Sequence, residues 1–228
     1  MDAKTLAEIN AARQSRKAVA VVTDIASGQQ ELLTGESQID EALREEVAKR
    51  LKSGKSGIVT LQDKETFIQV HVPSPRLVII GAVHISQALV PMAQACDFDV
   101  LVIDPRTAFA SADRFPSVDL QAEWPQEILQ DRPLDAYTAL VAVTHDPKID
   151  DIPLQSALQQ ECFYIGALGS RKTHAKRLGR FAAAGFDEAT VQRIQAPIGL
   201  DIRAASPAEI AVSIMAEIIE TLRKGPAV

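Results

Sequence analysis

The sequence predicts an α/β protein, in which a parallel β-sheet with crossover helices follows a smaller α+β region. Two observations lead to this fold class. Beyond the stiff Pro-Ser-Pro stretch at 73–75, apolar β-branched runs alternate with helical patterns, which is typical of a parallel sheet. Before it, helical stripes are mixed with a hairpin pattern. The 228 residues suit a large domain with a smaller one, so we expect domains at 1–72 and 73–228.

The N-terminal region should contain two helices and at least three strands. Residues 2–17 read as a helix, and the β-branched run at 18–25 predicts a buried strand. A second helix is predicted from Ser37 to Gly54, because its apolar positions recur every fourth residue: Ile39, Leu43, Val47 and Leu51. Segments 57–62 and 66–72 flank a short polar turn, and the second alternates apolar and polar residues, as a hairpin strand does.

The C-terminal region supplies the strands of the parallel sheet. Four apolar runs predict strands at 76–82, 98–104, 137–144 and 162–167. Helices are expected from His84, over 153–161 and after Ser170, and Pro91 should kink the first of them. Strands and helices that alternate in this way indicate a Rossmann-like domain.

The last helix carries its own boundary signals. Ser206 predicts an N-cap, Pro207 suits the first turn, and Glu209 completes a capping box. Gly225 marks the expected end of the helix.

Composition excludes several classes of protein. There are 30 acidic and 24 basic side chains, and the net charge of −6 argues against a nucleic-acid partner. The two cysteines and four histidines show no metal-binding spacing, so no metal site is expected. No apolar run approaches a membrane span, and charges occupy the N-terminus where a signal peptide needs apolar residues. We therefore expect a cytoplasmic protein without a membrane partner.

The first loop of interest follows the first strand of the parallel sheet. Gly81 and His84 lie where a dinucleotide-binding turn would lie, and Asp104 ends the next strand about 20 residues further on, as in that motif. Val83, however, replaces the glycine that lets a pyrophosphate approach the backbone. The loop therefore argues against NAD(P) binding, and a Rossmann-like scaffold without a dinucleotide is the alternative.

Two further loops place charged groups at carboxyl ends of strands, where open parallel sheets bind ligands. Asp104 and Arg106 could form a salt-bridged turn or contact a ligand, and these interpretations are balanced. His145 and Asp146 could act on a ligand, although adjacent side chains usually point apart and do not form a dyad by themselves. Asp150 and Asp151 follow closely.

The fourth loop, residues 166–171, predicts an anion site. Gly166, Gly169, Ser170 and Arg171 lead from an apolar strand into a helix, whose N-terminal amides attract anions. No acidic residue occurs from Cys162 to Phe186, whereas five cations do: Arg171, Lys172, Lys176, Arg177 and Arg180. A solvated helix face would explain these charges, but a phosphate-bearing ligand or an acidic partner surface explains them better.

Five segments, taken in order, resemble the xanthine dehydrogenase accessory factor family. They are GAVH, IDPR, THDP, YIGALGSRKTHAKRL and APIGLDIRAASPAEIAVSIMAEII, and they run from about Pro73 to Arg223. Proteins of this family are maturation factors of xanthine and carbon monoxide dehydrogenases. The resemblance implies transient binding of the molybdenum cofactor, a pterin that carries a phosphate, by a chaperone more than an enzyme.

The resemblance also implies partners and a binding role for residues of these loops. The partners would be an apo-molybdenum hydroxylase, which receives the cofactor, and a cysteine desulfurase, which supplies its terminal sulfur. Whether the protein forms a homodimer is left open by the sequence. No catalytic residue is assigned. The cofactor-binding residues would be Gly81, His84, Asp104, Arg106, His145, Asp146, Gly166, Gly169, Ser170 and Arg171.

The chain departs from the family pattern at three places. Val83 and Arg203 each stand at a position where the family usually has glycine. In residues 1–72 the family's Gly-Ser-x-Pro-Arg turn and Gly-Gly-Cys-x-Glu motif are absent, and the segment 33–36 offers no thiol in their place. Cys96 and Cys162 have apolar neighbours and are expected to be buried and inert.

Two other function classes stay open. An NAD(P)-dependent oxidoreductase would suit the same scaffold, and a protein-binding adaptor without cofactor would suit the missing N-terminal motifs.

Overall fold

The computed structural model describes residues 2–33, 37 and 39–224, and the chain divides into two compact units, Met1–Pro73 and Ser74–Val228. The first unit contains two helices and a four-stranded antiparallel sheet with the strand order β2-β1-β4-β3. Its elements are α1 (Ala3–Gln14), β1 (Val19–Asp24), β2 (Gln30–Leu33), α2 (Glu41–Ser53), β3 (Gly57–Leu61) and β4 (Lys64–His71).

The small sheet buries both of its faces because side chains alternate along β1. Ala20 and Ile68 pack with Val47 of α2. Val19 and Val21 point the other way and pack with Ile9 of α1. The predicted hairpin of β3 and β4 is confirmed, with Gly57 opposite Ile68.

Two details of this unit differ from the sequence prediction. The helix α2 begins at Glu41 rather than Ser37, because the Asp40 carboxylate caps it by accepting from the Ala42 amide at 2.9 Å. The strand β2 was not predicted, since it is short, mostly exposed and defined by its pairing with β1. Residues 34–36 lie outside the described residues.

The second unit is built on a six-stranded parallel sheet with the order β10-β9-β8-β5-β6-β7. This is the Rossmann strand order, so the predicted fold class is confirmed. Its strands are β5 (Arg76–Ile80), β6 (Asp99–Ile103), β7 (Asp119–Gln121), β8 (Thr138–Ala142), β9 (Tyr164–Ala167) and β10 (Ile194–Gln195). Its helices are α3 (His84–Ala95), α4 (Pro125–Asp131), α5 (Pro147–Gln159), α6 (Arg171–Ala183), α7 (Glu188–Val191) and α8 (Pro207–Lys224).

Helices cover both faces of this sheet. Leu89 of α3 and Ile214 of α8 pack on one face against strand residues such as Val102. Leu154 of α5 and Phe181 of α6 belong to the core on the other face. The strands β5 and β8 are buried along their whole length, which explains their continuous apolar runs. None of the described helices is both long and apolar enough to cross a membrane.

The helix α5 begins at Pro147, six positions before the start predicted from its apolar residues. Asp146 is its N-cap and accepts a 2.9 Å hydrogen bond from the Lys148 amide, and Pro147 suits the first turn. The predicted loop after β8 is therefore short, and Asp150 lies in the first turn of a helix. Pro91 lies inside α3, which continues to Ala95.

The predicted capping box of α8 is confirmed. The Glu209 amide donates to Ser206 Oγ at 3.2 Å, and the Glu209 carboxylate accepts from the Ser206 amide at 3.0 Å. Gly225 lies outside the described residues. Elements that the sequence analysis did not predict are short: β7, α4, α7 and β10.

Candidate functional site

The carboxyl ends of β5 and β8 meet at the point where the strand order reverses, which is where ligands bind open α/β sheets. Gly81 follows β5 with a φ of +115°, and its amide donates to the Ile103 carbonyl at 2.8 Å. A Cβ added at Gly81 would lie 2.8 Å from Thr144 Cγ2. A glycine is therefore required here because the first loop touches the loop after β8.

Asp104 is completely buried at the end of β6, and the protein uses its carboxylate internally. It accepts from the Ala82 amide at 2.8 Å, from the Arg106 amide at 2.9 Å, and from the Arg106 guanidinium at 2.8 and 2.7 Å. Burial acts to raise the pKa of Asp104, but the hydrogen bonds from Arg106 and Ala82 outweigh it and lower that pKa. Asp104 thus fixes the turn and orients Arg106.

Arg106 is held within the second loop by Asp104 and Phe109. Its guanidinium lies 4.5 Å above the Phe109 ring, and one third of the side chain is exposed. The hydrogen bond to Asp104 raises the pKa of Arg106, and the nearby charges of Asp150 and Asp146 raise it further. Arg106 is therefore a permanent cation within electrostatic range of Asp146 and Asp150.

The histidines of these loops are both exposed. His84 is the first residue of α3, after Val83, which takes the N-cap position without a side-chain cap. His145 has a φ of +64° and lies between Thr144 and the N-cap Asp146. The Asp146 carboxylate accepts from the Lys148 amide, and no hydrogen bond joins it to the His145 ring within the described part of the chain.

The glycine loop before α6 combines packing with helix capping. Gly166 is buried in β9, and an added Cβ would lie 2.6 Å from Ile198 Cδ1, so the absence of a side chain serves packing there. Gly169 has a φ of +140°. Ser170 caps α6 by accepting from the Thr173 amide at 3.2 Å, and Arg171, the first helical residue, is exposed. The first turn of α6 thus presents its backbone amides at this edge.

A pocket of about 210 Å³ lies beside this loop, between the start of α5 and one face of α6. We call it the α5–α6 pocket. Among the cofactor-binding residues predicted from sequence, His145 is a member of its lining and Arg171 is not. Its lining residues are His145, Pro147, Asp150, Lys172, Thr173, Lys176, Arg177 and Arg180.

Two buried side chains of the α5–α6 pocket have polar atoms without a hydrogen-bond partner in the described part of the chain. Arg177 is 3% exposed; its Nη2 donates to the Leu168 carbonyl at 3.3 Å, whereas Nε and Nη1 have no partner. Asp150 is 1% exposed; its Oδ1 accepts from Thr144 at 2.7 Å, whereas Oδ2 has no partner. Unsatisfied buried polar groups are rare, and they commonly indicate an absent ligand or water.

Burial shifts the pKa of both groups in the direction that favours their neutral forms. It raises the pKa of Asp150 to about 6, and the Thr144 hydrogen bond and the Arg177 charge oppose this rise without cancelling it. Burial likewise lowers the pKa of Arg177. A raised carboxyl pKa in a pocket is typical of a functional site.

The remaining cations of the pocket differ in their partners. Arg180 is paired with Asp151 through two hydrogen bonds, at 2.5 and 2.8 Å. Lys172 and Lys176 are exposed, and no carboxylate of the described residues pairs with either. The helical period could have identified this face from sequence, because Lys172 and Lys176 are four residues apart.

A half-buried carboxylate that sequence reasoning missed anchors the segment before α8. Glu217 accepts from the Tyr164 hydroxyl at 2.6 Å and from the Gly199 amide at 2.9 Å. Burial and the Glu217 charge raise the pKa of Tyr164, so its hydroxyl stays protonated. Gly199 has a φ of +88°, and an added Cβ would lie 2.2 Å from Ser213 Oγ. These contacts explain the glycine of the APIGLDI segment.

The two cysteines have different environments. Cys162 is completely buried, and burial raises the pKa of its thiol to about 12. Cys96 is exposed, which corrects the expectation that both are buried. It is the C-cap of α3, and the chain turns away there, so its apolar sequence neighbours do not cover it.

Comparison with known proteins identifies related chains. Residues 77–218 match the XdhC Rossmann domain. A protein of Bacillus subtilis (strain 168), named as a probable subunit of xanthine dehydrogenase, is 34% identical over 166 residues, which are 72% of this chain and 48% of that protein. The molybdenum cofactor insertion chaperone PaoD of Escherichia coli (strain K12) is 30% identical over 146 residues, which are 64% of this chain and 40% of PaoD.

A solved structure supports the fold. The crystal structure of a protein from Bacillus halodurans, described as a xanthine dehydrogenase, matches with a TM-score of 0.65 at 23% identity. The match covers 97% of this chain and 64% of that one. The chain spans about half, or less, of the length of the curated relatives that it matches.

The domain match extends over more than half of the chain and contains every loop described above. The resemblance inferred from the GALGSR and APIGLDI segments is thereby confirmed. The chain belongs to the XdhC family, the family of xanthine dehydrogenase accessory factors.

Proposed function

We propose that this protein is a maturation factor that binds the molybdenum cofactor transiently and delivers it to a molybdenum hydroxylase of the xanthine dehydrogenase type. The observation that carries the proposal is the cationic edge of the parallel sheet, where the start of α6 lies beside the unpartnered donors of Arg177. The names of two relatives, a cofactor insertion chaperone and a probable subunit of xanthine dehydrogenase, support the same role.

The residues at this edge fit the anionic end of the cofactor. A phosphate needs several donors, and helix N-terminal amides and arginine side chains are the groups that commonly supply them. The Ser170 cap leaves the first amides of α6 available, and Arg171 adds an exposed cation beside them. We propose that Gly169, Ser170 and Arg171 contact the phosphate, with Gly166 shaping the strand behind them.

The facing loops would border the rest of the ligand. His84 and His145 are exposed there, and Arg106 is a cation held in place by Asp104. In this proposal Asp104 acts through Arg106, Asp146 acts by starting α5, and Gly81 lets the first loop lie close to the loop after β8. These residues bind and orient, and we assign no catalytic step to them.

The proposal gives the protein two partner proteins. An apo-molybdenum hydroxylase would accept the cofactor, and a cysteine desulfurase would supply its terminal sulfur while the cofactor is held. In this chain the proposed role is that of a carrier.

A cofactor transfer experiment tests the proposal. The protein is purified from its own host under anaerobic conditions, and mass spectrometry is used to detect a retained pterin. The protein is then loaded with molybdenum cofactor and mixed with apo-hydroxylase, and the recovery of hydroxylase activity is measured against free cofactor. We expect faster or more complete recovery with the loaded protein. Equal recovery with free cofactor, together with no retained pterin, would contradict the carrier role.

A further inference from the structure

We propose that the α5–α6 pocket is a binding site for a phosphate monoester, with Arg177, Lys172 and Lys176 as its donors. The pocket is separate from the contacts assigned to Arg171, which is outside its lining. The inference rests on the proposed function only where the ester is the pterin phosphate, and in that case the pocket replaces the start of α6 as the place of that phosphate. The donor chemistry of the pocket stands without it.

Arg177 provides the strongest reason. Its guanidinium is buried and makes one hydrogen bond within the described residues, through Nη2, while Nε and Nη1 lie unpartnered beside the α5–α6 pocket. A buried guanidinium with unmet donors is unfavourable unless a partner supplies acceptors. Phosphate oxygens accept charge-assisted hydrogen bonds from guanidinium N–H groups, so such a ligand would supply acceptors that Arg177 lacks.

Lys172 and Lys176 extend the same face of α6. They are one helical turn apart, both line the pocket, and neither is paired with a described carboxylate. Arg180, by contrast, is already held by Asp151. Three cations are therefore available to one ligand. Such a set is typical of a phosphate site, whereas the cations of a solvated helix face are usually balanced by acidic neighbours.

Asp150 is the acidic group in the lining of the pocket, and its environment is compatible with an anionic ligand. Burial raises the pKa of Asp150 to about 6, close to the second pKa of a phosphate monoester. A proton held on Oδ2 can be donated to a phosphate oxygen, which would satisfy the second unpartnered group of the pocket. The charged or titratable groups near this carboxyl are Arg106, His145, Asp146, Asp151, Lys172, Lys176, Arg177 and Arg180.

The size of the pocket selects a small group. A volume of about 210 Å³ has room for several water molecules or for one oxyanion with part of its ester, and not for a folded peptide segment. Thr173 and Pro147 add two short side chains to the lining. We therefore commit to a phosphate monoester, which either a free small molecule or a larger ligand such as a pterin would carry.

Binding of inorganic phosphate to the full chain tests the inference. Titrations at low ionic strength, followed by calorimetry or ³¹P NMR, compare wild type with Lys172→Ala, Lys176→Ala and Arg177→Lys. Lys148→Ala is the matched control, because Lys148 is exposed on α5, carries the same charge and is outside the pocket lining. We expect each pocket variant to weaken phosphate binding about tenfold or more, because each loses a charge-assisted hydrogen bond. The control should change it less than twofold.

The outcomes separate the pocket from the proposed function. If Lys148→Ala weakens binding as much as Lys176→Ala, or if none of the pocket variants has an effect, the site is wrong. Lys172 and Lys176 are exposed, so their variants should keep the melting temperature of the wild type and stay interpretable even if Arg177→Lys unfolds. Molybdopterin that competes with phosphate identifies the pterin as the source. Phosphate binding without molybdopterin binding supports the pocket with a smaller ester and speaks against the proposed function.

Discussion

The hydroxyl of Thr144 donates a 2.7 Å hydrogen bond to Oδ1 of Asp150, and Oδ2 of the same carboxyl is buried without a partner among the described residues. This contact ties the end of β8 to the first turn of α5. It also leaves a half-satisfied carboxyl in the lining of the α5–α6 pocket, where burial raises the pKa of Asp150 from 3.8 to about 6.

The raised pKa of Asp150 predicts a specific pH dependence of stability. The folded state holds the proton more tightly than the unfolded state, so this contribution is complete below pH 3.8 and is lost as the pH rises through about 6. Asp150→Asn keeps an acceptor for Thr144 and has no proton to lose. Relative to wild type, we expect the variant to gain on the order of 2–3 kcal/mol in unfolding free energy between pH 4 and pH 8.

Urea unfolding of both proteins at several pH values measures this gain. Glu161→Gln removes an exposed carboxylate and serves as the control. We expect its stability to depend on pH as that of the wild type does. A parallel pH dependence of the wild type and Asp150→Asn would show that Asp150 is ionised normally.

NAD and NADP should bind the wild-type protein more weakly than micromolar, that is, with less than about 8 kcal/mol of binding free energy. Val83 occupies the position of the glycine that lets a pyrophosphate approach, and the Asp104 carboxylate, which would otherwise accept from a ribose, is engaged by Arg106. Affinity should rise from wild type to Val83→Ala to Val83→Gly. Fluorescence titration with NADH measures it, and micromolar binding by the wild type would show that the steric argument is wrong.

Arg171→Ala should weaken molybdopterin binding ten- to a hundredfold, the effect of losing a charge-assisted hydrogen bond of about 1.5–3 kcal/mol. The side chain is exposed, so the melting temperature should not change. Equilibrium binding of molybdopterin to both proteins measures the effect, with Lys148→Ala as the control for net charge. If the affinity of Arg171→Ala equals that of wild type, the phosphate contacts other residues, and the variants of the α5–α6 pocket show whether it lies there.

Replacing Cys162 should leave hydroxylase maturation unchanged. Sulfur relay needs an accessible thiolate, and burial raises the pKa of Cys162 to about 12, so this residue stays a thiol near neutral pH. Cys162→Ala and Cys96→Ser are compared separately in a reconstitution with desulfurase, cofactor and apo-hydroxylase. Loss of maturation in a well-folded Cys96→Ser protein would identify the exposed thiol as a sulfur carrier and would overturn the passive role.

Gly199→Ala should destabilise the second unit by about 2 kcal/mol or more, because its φ is +88° and the added Cβ would meet Ser213 and the Ile214 amide. Gly179→Ala is the matched control. Nothing lies within 4 Å of a Cβ added at Gly179 in α6, so that substitution should stabilise the helix by about 0.5–1 kcal/mol. Thermal unfolding shows whether Gly199→Ala lowers and Gly179→Ala raises the stability of the protein. Equal stability of the two variants would contradict the packing argument.

Local sequence patterns predicted the elements whose signals lie within a few residues. The strands β5 and β8 are continuous apolar runs, Ser206 and Glu209 mark the start of α8, and Ser170 marks the start of α6. The GALGSR segment also pointed to the family that the comparisons confirm. The division into domains at 72 and the assignment of cofactor-binding residues stay predictions.

The start of α5 shows where pattern alone was insufficient. The apolar residues of this helix predicted a start at 153, but Asp146 caps it at 147. Its first turn has one core residue, Ile149, beside Asp150, which lines the α5–α6 pocket, so the apolar period is not visible there. The short strands β7 and β10 were not predicted because pairing with β6 and β9 defines them, and three or two residues carry no periodicity.

The sequence by itself determined that cations gather after β9 and that a helix begins there, since charge and capping are local properties. Only the tertiary structure decided that Lys172, Lys176 and Arg177, and not Arg171, line a pocket with Asp150. The strand order places β8 beside β5 and β9, and this brings the first turn of α5 against one face of α6. The approach of these two helices depends on contacts between residues far apart in the chain, which local periodicity does not encode.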